Sequence, residues 1–171
     1  MLSLKLLLLL PPLLHPSLSS AAVIPRNYDV PAGYCCFALA DVSTGKTIQQ
    51  NKEYGFLYLD ASQPKGWYCL NPSGSRPILW DDNNNACIIA WDGHFQCLDP
   101  TPGDDEWSLG HVGTSNSTRL LLLHNSSSAY QACPNRDRGE IISSGAPATA
   151  GCRKIQLEAT GLEGACSSFT A

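Results

Sequence analysis

The chain has 171 residues, of which 43% are hydrophobic and 15% are charged, and its formal net charge at pH 7 is -4. This length suits one domain and is short for two. An acidic balance without a Lys/Arg cluster argues against a nucleic-acid binder and against a polybasic membrane-surface protein. The composition also excludes a disordered tail and a collagen-like repeat.

Residues 1–22 have the layout of a secretory signal peptide. Lys5 precedes a leucine-rich run, and the segment ends in small residues that suit cleavage after Ala22. The run is shorter than the roughly 20 apolar residues that span a bilayer, and Pro11 and Pro12 interrupt it. We therefore expect a secreted, extracellular protein with no membrane span.

The remaining sequence predicts a short lead-in followed by one domain. Residues 23–33 contain two prolines and read as an extended lead-in, and residues 34–166 read as a single cysteine-rich domain. All cysteines of the chain fall in this domain, at Cys35, Cys36, Cys69, Cys87, Cys97, Cys133, Cys152 and Cys166. An even number in an exported chain predicts up to four disulfides, whose connectivity the sequence leaves open. The adjacent Cys35 and Cys36 should have different partners, because a bond between neighbours is strained.

The cysteine and histidine spacing disfavours a metal site. The sequence contains no C-x2-C pair, and its four histidines are scattered. We therefore expect neither a metal nor another cofactor, and we expect the cysteines to serve as cross-links.

The hydrophobic pattern after the lead-in is that of β-strands. Short apolar runs alternate with turns rich in Gly, Pro, Asn and Ser, and no window keeps a helical period. Asp92-Gly93 lies between two such runs and predicts a two-residue hairpin turn. The predicted strand regions are 56–60, 77–81, 87–91, 94–98, 107–109, 119–124, 139–143 and 153–159. These features predict an all-β protein.

A weak internal repetition refines this class. Three segments, beginning near residues 56, 78 and 120, each run from an apolar strand through a polar turn to an aromatic residue and a cysteine. Three such units favour a compact β-trefoil-like fold, which leaves few exposed sheet edges. A Greek-key β-sandwich is the alternative.

Two sequons predict N-glycans. Asn116-Ser117-Thr118 and Asn125-Ser126-Ser127 both fit N-x-[ST] and lie in polar, loop-like sequence of an exported chain. We therefore expect glycans on Asn116 and Asn125.

The sequence offers little for catalysis. It contains no G-x-S-x-G, no H-E-x-x-H and no phosphate-binding glycine loop, and its carboxylates lie mostly in turns. The prediction is therefore a protein without catalytic residues, and a carbohydrate-active enzyme is the less favoured alternative.

Four tryptophans are candidate sugar-stacking residues, because a flat apolar ring with polar neighbours suits a sugar ring. Trp67 and Trp91 adjoin Gly-containing turns and are predicted to be exposed. Trp80 and Trp107 lie in apolar sequence and are predicted to be buried.

The second half of the chain resembles the cysteine-rich carboxy-terminal domain of the Pir-type fungal cell-wall mannoproteins. The likeness is clearest over residues 78–162. It is carried by the I-x-A run before Phe95-Gln96 and Asp99, the Pro/Gly turn before Trp107-Ser108-Leu109, the aromatic residue before Cys133, and Cys152 ahead of Ile155-x-Leu157-Glu158-Ala159. The resemblance implies an exported, glycosylated, disulfide-stabilised wall component with a structural role. The Q-x-D-G-Q repeats through which Pir proteins are ester-linked to β-1,3-glucan do not occur in this sequence.

These observations lead to a hypothesis about function. We expect a secreted, non-catalytic protein of the fungal cell wall that is a structural constituent or binds wall polysaccharide. Its partners would be β-glucan, chitin or other wall glycoproteins. A small secreted effector or interaction protein is the alternative.

Overall fold

The computed structural model describes residues 29–73, 77–111, 119–136, 139–144 and 151–170. The predicted signal peptide, residues 1–22, and residues 23–28 of the lead-in lie outside the described residues. No helix in these ranges is long and apolar enough to cross a membrane. The elements are β1 (Cys35–Asp41), β2 (Gln49–Gln50), β3 (Leu57–Leu59), β4 (Tyr68–Leu70), β5 (Leu79–Asp81), β6 (Ala86–Ile89), β7 (Phe95–Asp99), β8 (Trp107–Gly110), β9 (Leu121–His124), β10 (Tyr130–Pro134), β11 (Glu140–Ser144), β12 (Arg153–Ile155), β13 (Leu157–Gly164) and α1 (Ser167–Thr170).

The strands form two antiparallel sheets, so the all-β class is confirmed. The larger sheet has the order β7-β6-β5-β4-β1-β13-β9-β8, and the smaller has the order β12-β10-β11-β3-β2. Each predicted strand region contains a strand, but the region 153–159 divides at Gln156 into β12 and β13. β1 is completely buried along its length, since it lies between β4 and β13. A strand buried on both faces lacks the apolar/polar alternation by which strands are recognised.

The chain passes through this arrangement in three consecutive units. The first comprises β1, the β2–β3 hairpin and β4; the second comprises β5, the β6–β7 hairpin and β8; the third begins with β9 and the β10–β11 hairpin and ends with β13. The outer strands of these units are neighbours in the large sheet, in the order β5-β4-β1-β13-β9-β8. The trefoil itself stays a prediction, and this strand order favours it over the sandwich.

The three hairpins also contact one another. β3 pairs with β11, the backbone beside β3 pairs with β7 through Phe56 and Gln96, and His94 pairs with Ser143 of β11. Gly55, at φ 71°, lies so close to β7 that a Cβ atom there would collide with the carbonyl of Cys97. The hairpins therefore meet in one compact layer over the core.

The main core lies between the two sheets. Its largest fully buried side chains include Phe37, Phe95, Trp107 and Tyr130. The rings of Phe95 and Trp107 stack with centroids 4.8 Å apart, and Trp107 donates from its indole nitrogen to the carbonyl of Cys87 at 2.9 Å. Trp107 is thus buried, as predicted, and its one polar atom is satisfied.

All eight cysteines form disulfides, which confirms the predicted cross-linking. The pairs are Cys35–Cys166, Cys36–Cys69, Cys87–Cys97 and Cys133–Cys152. Cys35 and Cys36 have different partners, as their adjacency requires. Four disulfides in a domain of this size are typical of extracellular proteins.

The predicted two-residue turn at Asp92-Gly93 is wrong in length. Ala90 and His94 close the β6–β7 hairpin, since the amide of Ala90 donates to the carbonyl of His94 at 2.8 Å. The loop therefore has three residues, from Trp91 to Gly93, and Gly93 adopts φ 85°. Glycine suits this left-handed position in a three-residue hairpin loop.

Candidate functional site

A cleft of about 690 Å³ opens on the outer wall of the large sheet. It lies between the lead-in to β1, the paired strands β4 and β5, the β5–β6 turn and the end of β7. We call it the Trp80 cleft. Its lining comprises Asp29, Pro31, Tyr34, Trp67, Cys69, Trp80, Asp81, Asp82, Asn84 and Pro100.

The floor of the Trp80 cleft is a row of residues across three strands. Cys69 of β4 lies opposite Cys36 of β1 on one side and opposite Trp80 of β5 on the other. Residues paired in this way project from the same face of a sheet. The Cys36–Cys69 disulfide therefore ties two strands of this face together beside Trp80.

A second apolar cluster supports this floor, separate from the main core. It contains Cys36, Ala38, Trp67 and Cys69, and Val30 and Tyr34 of the lead-in pack against it. The lead-in turns back through a hydrogen bond from the Tyr34 amide to the Pro31 carbonyl at 3.0 Å. This turn places Tyr34 against the outer wall of the sheet, where it lines the cleft.

The predicted exposures of the two tryptophans in the cleft, Trp67 and Trp80, are both wrong. Trp67 was expected to be exposed, but it is only 4% exposed because it packs into the second cluster. Trp80 was expected to be buried, but it is half-buried and lines the cleft. Trp80 is therefore the accessible indole of this site, and Trp67 supports the wall behind it.

The polar side of the cleft is the β5–β6 turn. Asp81 is 4% exposed and accepts hydrogen bonds at Oδ1 from the amides of Asn83 and Asn85, at 2.9 and 2.8 Å. Its Oδ2 accepts from Nε2 of Gln50 at 2.7 Å. The turn is thus fixed by a buried carboxylate, as Asp commonly fixes turns.

The residues that follow Asp81 supply an exposed amide and a carboxylate that is only 12% exposed. Asn84 is exposed, and the Asp82 carboxylate is 3.5 Å from the Nζ atom of Lys52. Asp29 is exposed on the lead-in side of the same cleft. Amide and carboxylate groups therefore flank the Trp80 ring, and both can hydrogen-bond hydroxyl groups.

Tyr68 lies behind this turn and opposite Asp81 in the β4–β5 pair. Burial, together with the negative charges of Asp81 and Asp82, raises the pKa of the Tyr68 hydroxyl well above its ordinary value. The hydroxyl therefore stays protonated, and Tyr68 adds no charge to the site.

Trp91, the other predicted stacking residue, lies away from the Trp80 cleft. It occupies the tip of the β6–β7 hairpin, whereas Asn84 and Pro100 lie at the open end of that hairpin. Its side chain is 99% exposed, so the prediction of exposure is confirmed for Trp91. The structure does not bring the two predicted residues, Trp67 and Trp91, into one site.

Several carboxylates that a glycosidase would need are engaged in local contacts. The Asp92 carboxylate is 2.8 Å from Nδ1 of His94, and Asp99 accepts from the Thr101 amide at 2.7 Å. Asp81 anchors its turn, as described above. These arrangements are typical of turn carboxylates with structural roles.

Ser144, His124 and Asp105 form a hydrogen-bonded line outside the cleft. His124 Nδ1 is 3.3 Å from Ser144 Oγ, and its Nε2 is 2.5 Å from Asp105 Oδ1. Ser144 is only 5% exposed, whereas a nucleophilic serine must reach its substrate. The His124 ring also packs against Trp107, with centroids 4.9 Å apart and the ring planes tilted by 40°, so we assign this line a structural role.

Of the two predicted glycosylation sites, Asn116 and Asn125, the structure describes only Asn125. Asn116 lies outside the described residues. Asn125 is exposed in the β-turn after β9, where both Asn125 and Ser126 have positive φ. Its Oδ1 accepts from the Glu106 amide at 3.0 Å. Asn125 is therefore accessible on a defined turn, as an N-glycan requires.

Comparisons with protein-family models, with curated proteins and with solved structures found no match. The site must therefore be interpreted from its own geometry. An accessible indole flanked by amide and carboxylate groups, in an open cleft on a disulfide-bonded wall, is suited to binding an extended polar molecule with apolar faces.

Proposed function

We propose that this protein is a secreted, non-catalytic glycoprotein of the fungal cell wall, a structural constituent that binds wall polysaccharide through the Trp80 cleft. The ligand would be β-glucan or chitin. A pyranose ring has an apolar face of C–H groups and a rim of hydroxyls, and this chemistry matches the contents of the cleft.

The observation that carries the proposal is the combination of Trp80 with the β5–β6 turn. Trp80 supplies a half-buried ring, and Asp82 and Asn84 supply polar groups beside it. The ring is held in a strand and the turn is held by buried Asp81, so little side-chain freedom is lost on binding.

The placement in the wall is supported by the sequence. The signal-like residues 1–22, the sequons and the resemblance of residues 78–162 to the Pir-type domain all support an exported wall component. The family comparison adds no match, so the resemblance depends on the quoted motifs alone. Since the Pir glutamine repeats do not occur in this sequence, we propose retention by non-covalent binding.

A binding assay on insoluble β-1,3-glucan and on chitin tests the proposal. We expect the secreted protein to sediment with at least one polymer, and Trp80→Leu to weaken its affinity for that polymer roughly 5- to 150-fold, as loss of an aromatic stacking contact of about 1–3 kcal/mol implies. Trp80→Phe keeps a flat ring and should retain most binding. Tyr54→Ala, which removes an exposed ring outside the cleft, is the matched control.

Two outcomes would contradict the proposal. Recovery of the wild type in the unbound fraction on both polymers would favour the secreted effector instead. Release of reducing sugar from either polymer by the purified protein would establish an enzyme and remove the non-catalytic assignment.

A further inference from the structure

We infer that Trp91 is a second polysaccharide contact, and that it acts with the Trp80 cleft in two-point binding of the polymer. This inference rests on the proposed function and extends it. Its occupant is a further pyranose unit of a neutral wall polysaccharide, on the same chain as the unit in the cleft or on a neighbouring chain.

The first observation is the exposure of Trp91. At 99% it leaves essentially all of its large apolar side chain in water, whereas Trp67 and Trp107 are at most 4% exposed. A folded domain gains nothing in stability from an indole in this position. Contact with a ligand would recover the burial that folding does not supply.

The second observation is that the hairpin carrying Trp91 is rigid. The Cys87–Cys97 disulfide cross-links its two strands, and the carbonyl of Gly93 accepts from the Ser144 amide at 3.0 Å. The His94 ring contacts Phe56 edge-on, with centroids 5.7 Å apart. The backbone that presents the ring is therefore fixed, so only the side-chain torsions of Trp91 have to be ordered on binding.

The third observation is the polar character of the surroundings. Trp91 is followed by Asp92 and Gly93, and a neighbouring cavity of about 290 Å³ is lined by Asp92, His94, Cys133, Pro134, Asn135, Ile141 and Ser143. A protein partner would bury a central apolar patch of several side chains. One ring beside hydrogen-bonding groups instead suits a sugar, because each sugar unit offers one apolar face and several hydroxyls.

The fourth observation is the geometry of the β6–β7 hairpin. Its open end, at Asn84 and Pro100, borders the Trp80 cleft, and its tip carries Trp91. Trp91 comes seven positions after Asn84, which corresponds to about 20 Å along a strand. A polymer can extend over this distance, whereas an oligosaccharide of two or three units is too short to do so.

If Trp91 and the Trp80 cleft bind one polymer together, loss of Trp91 should weaken binding of the polymer but not binding of a short oligosaccharide. When one contact is made, the second forms at high effective concentration, so binding to the polymer is strengthened well beyond that of either contact. A short oligosaccharide occupies only the cleft and is insensitive to Trp91.

The test uses the secreted protein and its Trp91→Ala, Trp80→Leu and Tyr54→Ala variants, with β-1,3-glucan and chitin as insoluble polymers and their di- and trisaccharides as soluble probes. We expect Trp91→Ala to weaken binding to the polymer at least about tenfold and to leave oligosaccharide affinity unchanged. Trp80→Leu should weaken both. Tyr54→Ala should weaken neither. Since Trp91 is fully exposed, its variant should keep the wild-type melting temperature.

The remaining outcomes separate this inference from the proposed function. Polymer binding that survives Trp91→Ala while Trp80→Leu abolishes it would overturn the second contact and leave the cleft in place. An equal loss for polymer and oligosaccharide would overturn the two-point arrangement. Failure of the wild type to bind any of the probes would remove the proposed function itself.

Discussion

Arg153 donates a hydrogen bond from Nη1 to Oδ2 of Asp41 at 2.8 Å, although 112 residues separate them in the chain. Asp41, at the end of β1, is completely buried, and the same guanidinium donates from Nη2 to Glu140 of β11 at 2.8 Å. Arg153 itself belongs to β12. The pair therefore joins the smaller sheet to the central strand of the larger one.

Removal of this guanidinium should destabilise the fold. In Arg153→Met the buried carboxylate of Asp41 loses its charged partner, a change that costs 3–5 kcal/mol at a fully buried pair. Because the Arg153 side chain is 34% exposed, we expect a loss of about 2 kcal/mol in the free energy of unfolding. Unfolding in guanidinium chloride, with the disulfides intact, measures this loss in both proteins.

The exposed pair of Lys46 and Asp60 supplies the control. Their side chains are 52% and 51% exposed at a separation of 2.7 Å. Lys46→Met should therefore change the free energy of unfolding by less than about 0.5 kcal/mol. Equal losses for Arg153→Met and Lys46→Met would show that the Asp41 pair has no special role.

Asp41 should also contribute to acid sensitivity. Burial acts to raise its pKa, but hydrogen bonds from Thr44, Ser43 and Arg153 outweigh burial and hold the pKa below its ordinary value of 3.8. A carboxyl with a lowered pKa in the folded state stabilises the fold above its unfolded pKa and loses that contribution as the pH falls through the folded value. We therefore expect wild-type stability to fall below about pH 4, and to fall less steeply in Asp41→Asn.

Denaturant unfolding at a series of pH values between about 2 and 6 measures this slope. Asp60→Asn removes an exposed carboxylate and should leave the slope close to that of the wild type. If the slope of Asp41→Asn equals that of the wild type, Asp41 does not contribute to the acid sensitivity.

Contacts like that of Arg153 with Asp41 recur between the other units. Each unit begins with a strand that ends in a polar residue, two positions after a completely buried leucine: Asp41 after Leu39, Asp81 after Leu79, and His124 after Leu122. Arg153 of the third unit contacts Asp41 of the first, Gln50 of the first contacts Asp81 of the second, and Asp105 of the second contacts His124 of the third. The three units are thus joined in a closed ring of polar contacts. His124 occupies in the third unit the position that Asp41 and Asp81 occupy in the first and second. Since both carboxylates have structural roles, this equivalence supports a structural role for His124.

The all-β class was predictable because its signals are local. Turn residues and strand-length apolar runs mark most strands directly, and an even cysteine count in an exported chain predicts complete pairing. The pairing was not predictable, because Cys35 and Cys166 are 131 residues apart in the sequence and meet only when β1 pairs with β13. Register between distant strands depends on the whole sheet.

The candidate site was less predictable than the fold. Trp67 adjoins a turn but is covered by Val30 and Tyr34, whereas Trp80 lies in apolar sequence yet projects from the outer face of the sheet. Exposure depends on which face of a strand is covered by other parts of the chain. The alternation becomes readable only in the structure: Leu79 and Asp81 on either side of Trp80 are both buried, so its side chain points to the other face, and a buried aspartate is not expected from sequence.

The four disulfides should contribute unequally to stability. In the chain-entropy description, the stabilisation rises with the number of residues that the cross-link encloses. Cys35–Cys166 spans 131 residues and Cys87–Cys97 spans 10, which corresponds to about 5 and about 3 kcal/mol. We expect the double alanine variant of the first pair to lose about 2 kcal/mol more than that of the second.

The two pairs are well matched for this comparison, because all four cysteines are at most 7% exposed and their loss leaves similar small defects in packing. The midpoints and slopes of denaturant unfolding for both double variants give the difference between their free energies of unfolding. A larger loss for the Cys87–Cys97 variant would contradict the entropic account and point to a local role in holding the Trp91 hairpin.

Asn125 should carry a glycan when the protein passes through a eukaryotic secretory pathway. The side chain is exposed, and its Oδ1 keeps the bond from the Glu106 amide when a sugar is attached to Nδ2. Ser127→Ala removes the sequon without changing Asn125, so it should abolish the glycan while the free energy of unfolding stays within about 0.5 kcal/mol. Peptide mass spectrometry after enzymatic deglycosylation, which converts a glycosylated Asn to Asp, measures occupancy. Thr118→Ala reports on Asn116 in the same way, and secreted protein with an unmodified Asn125 would contradict the prediction.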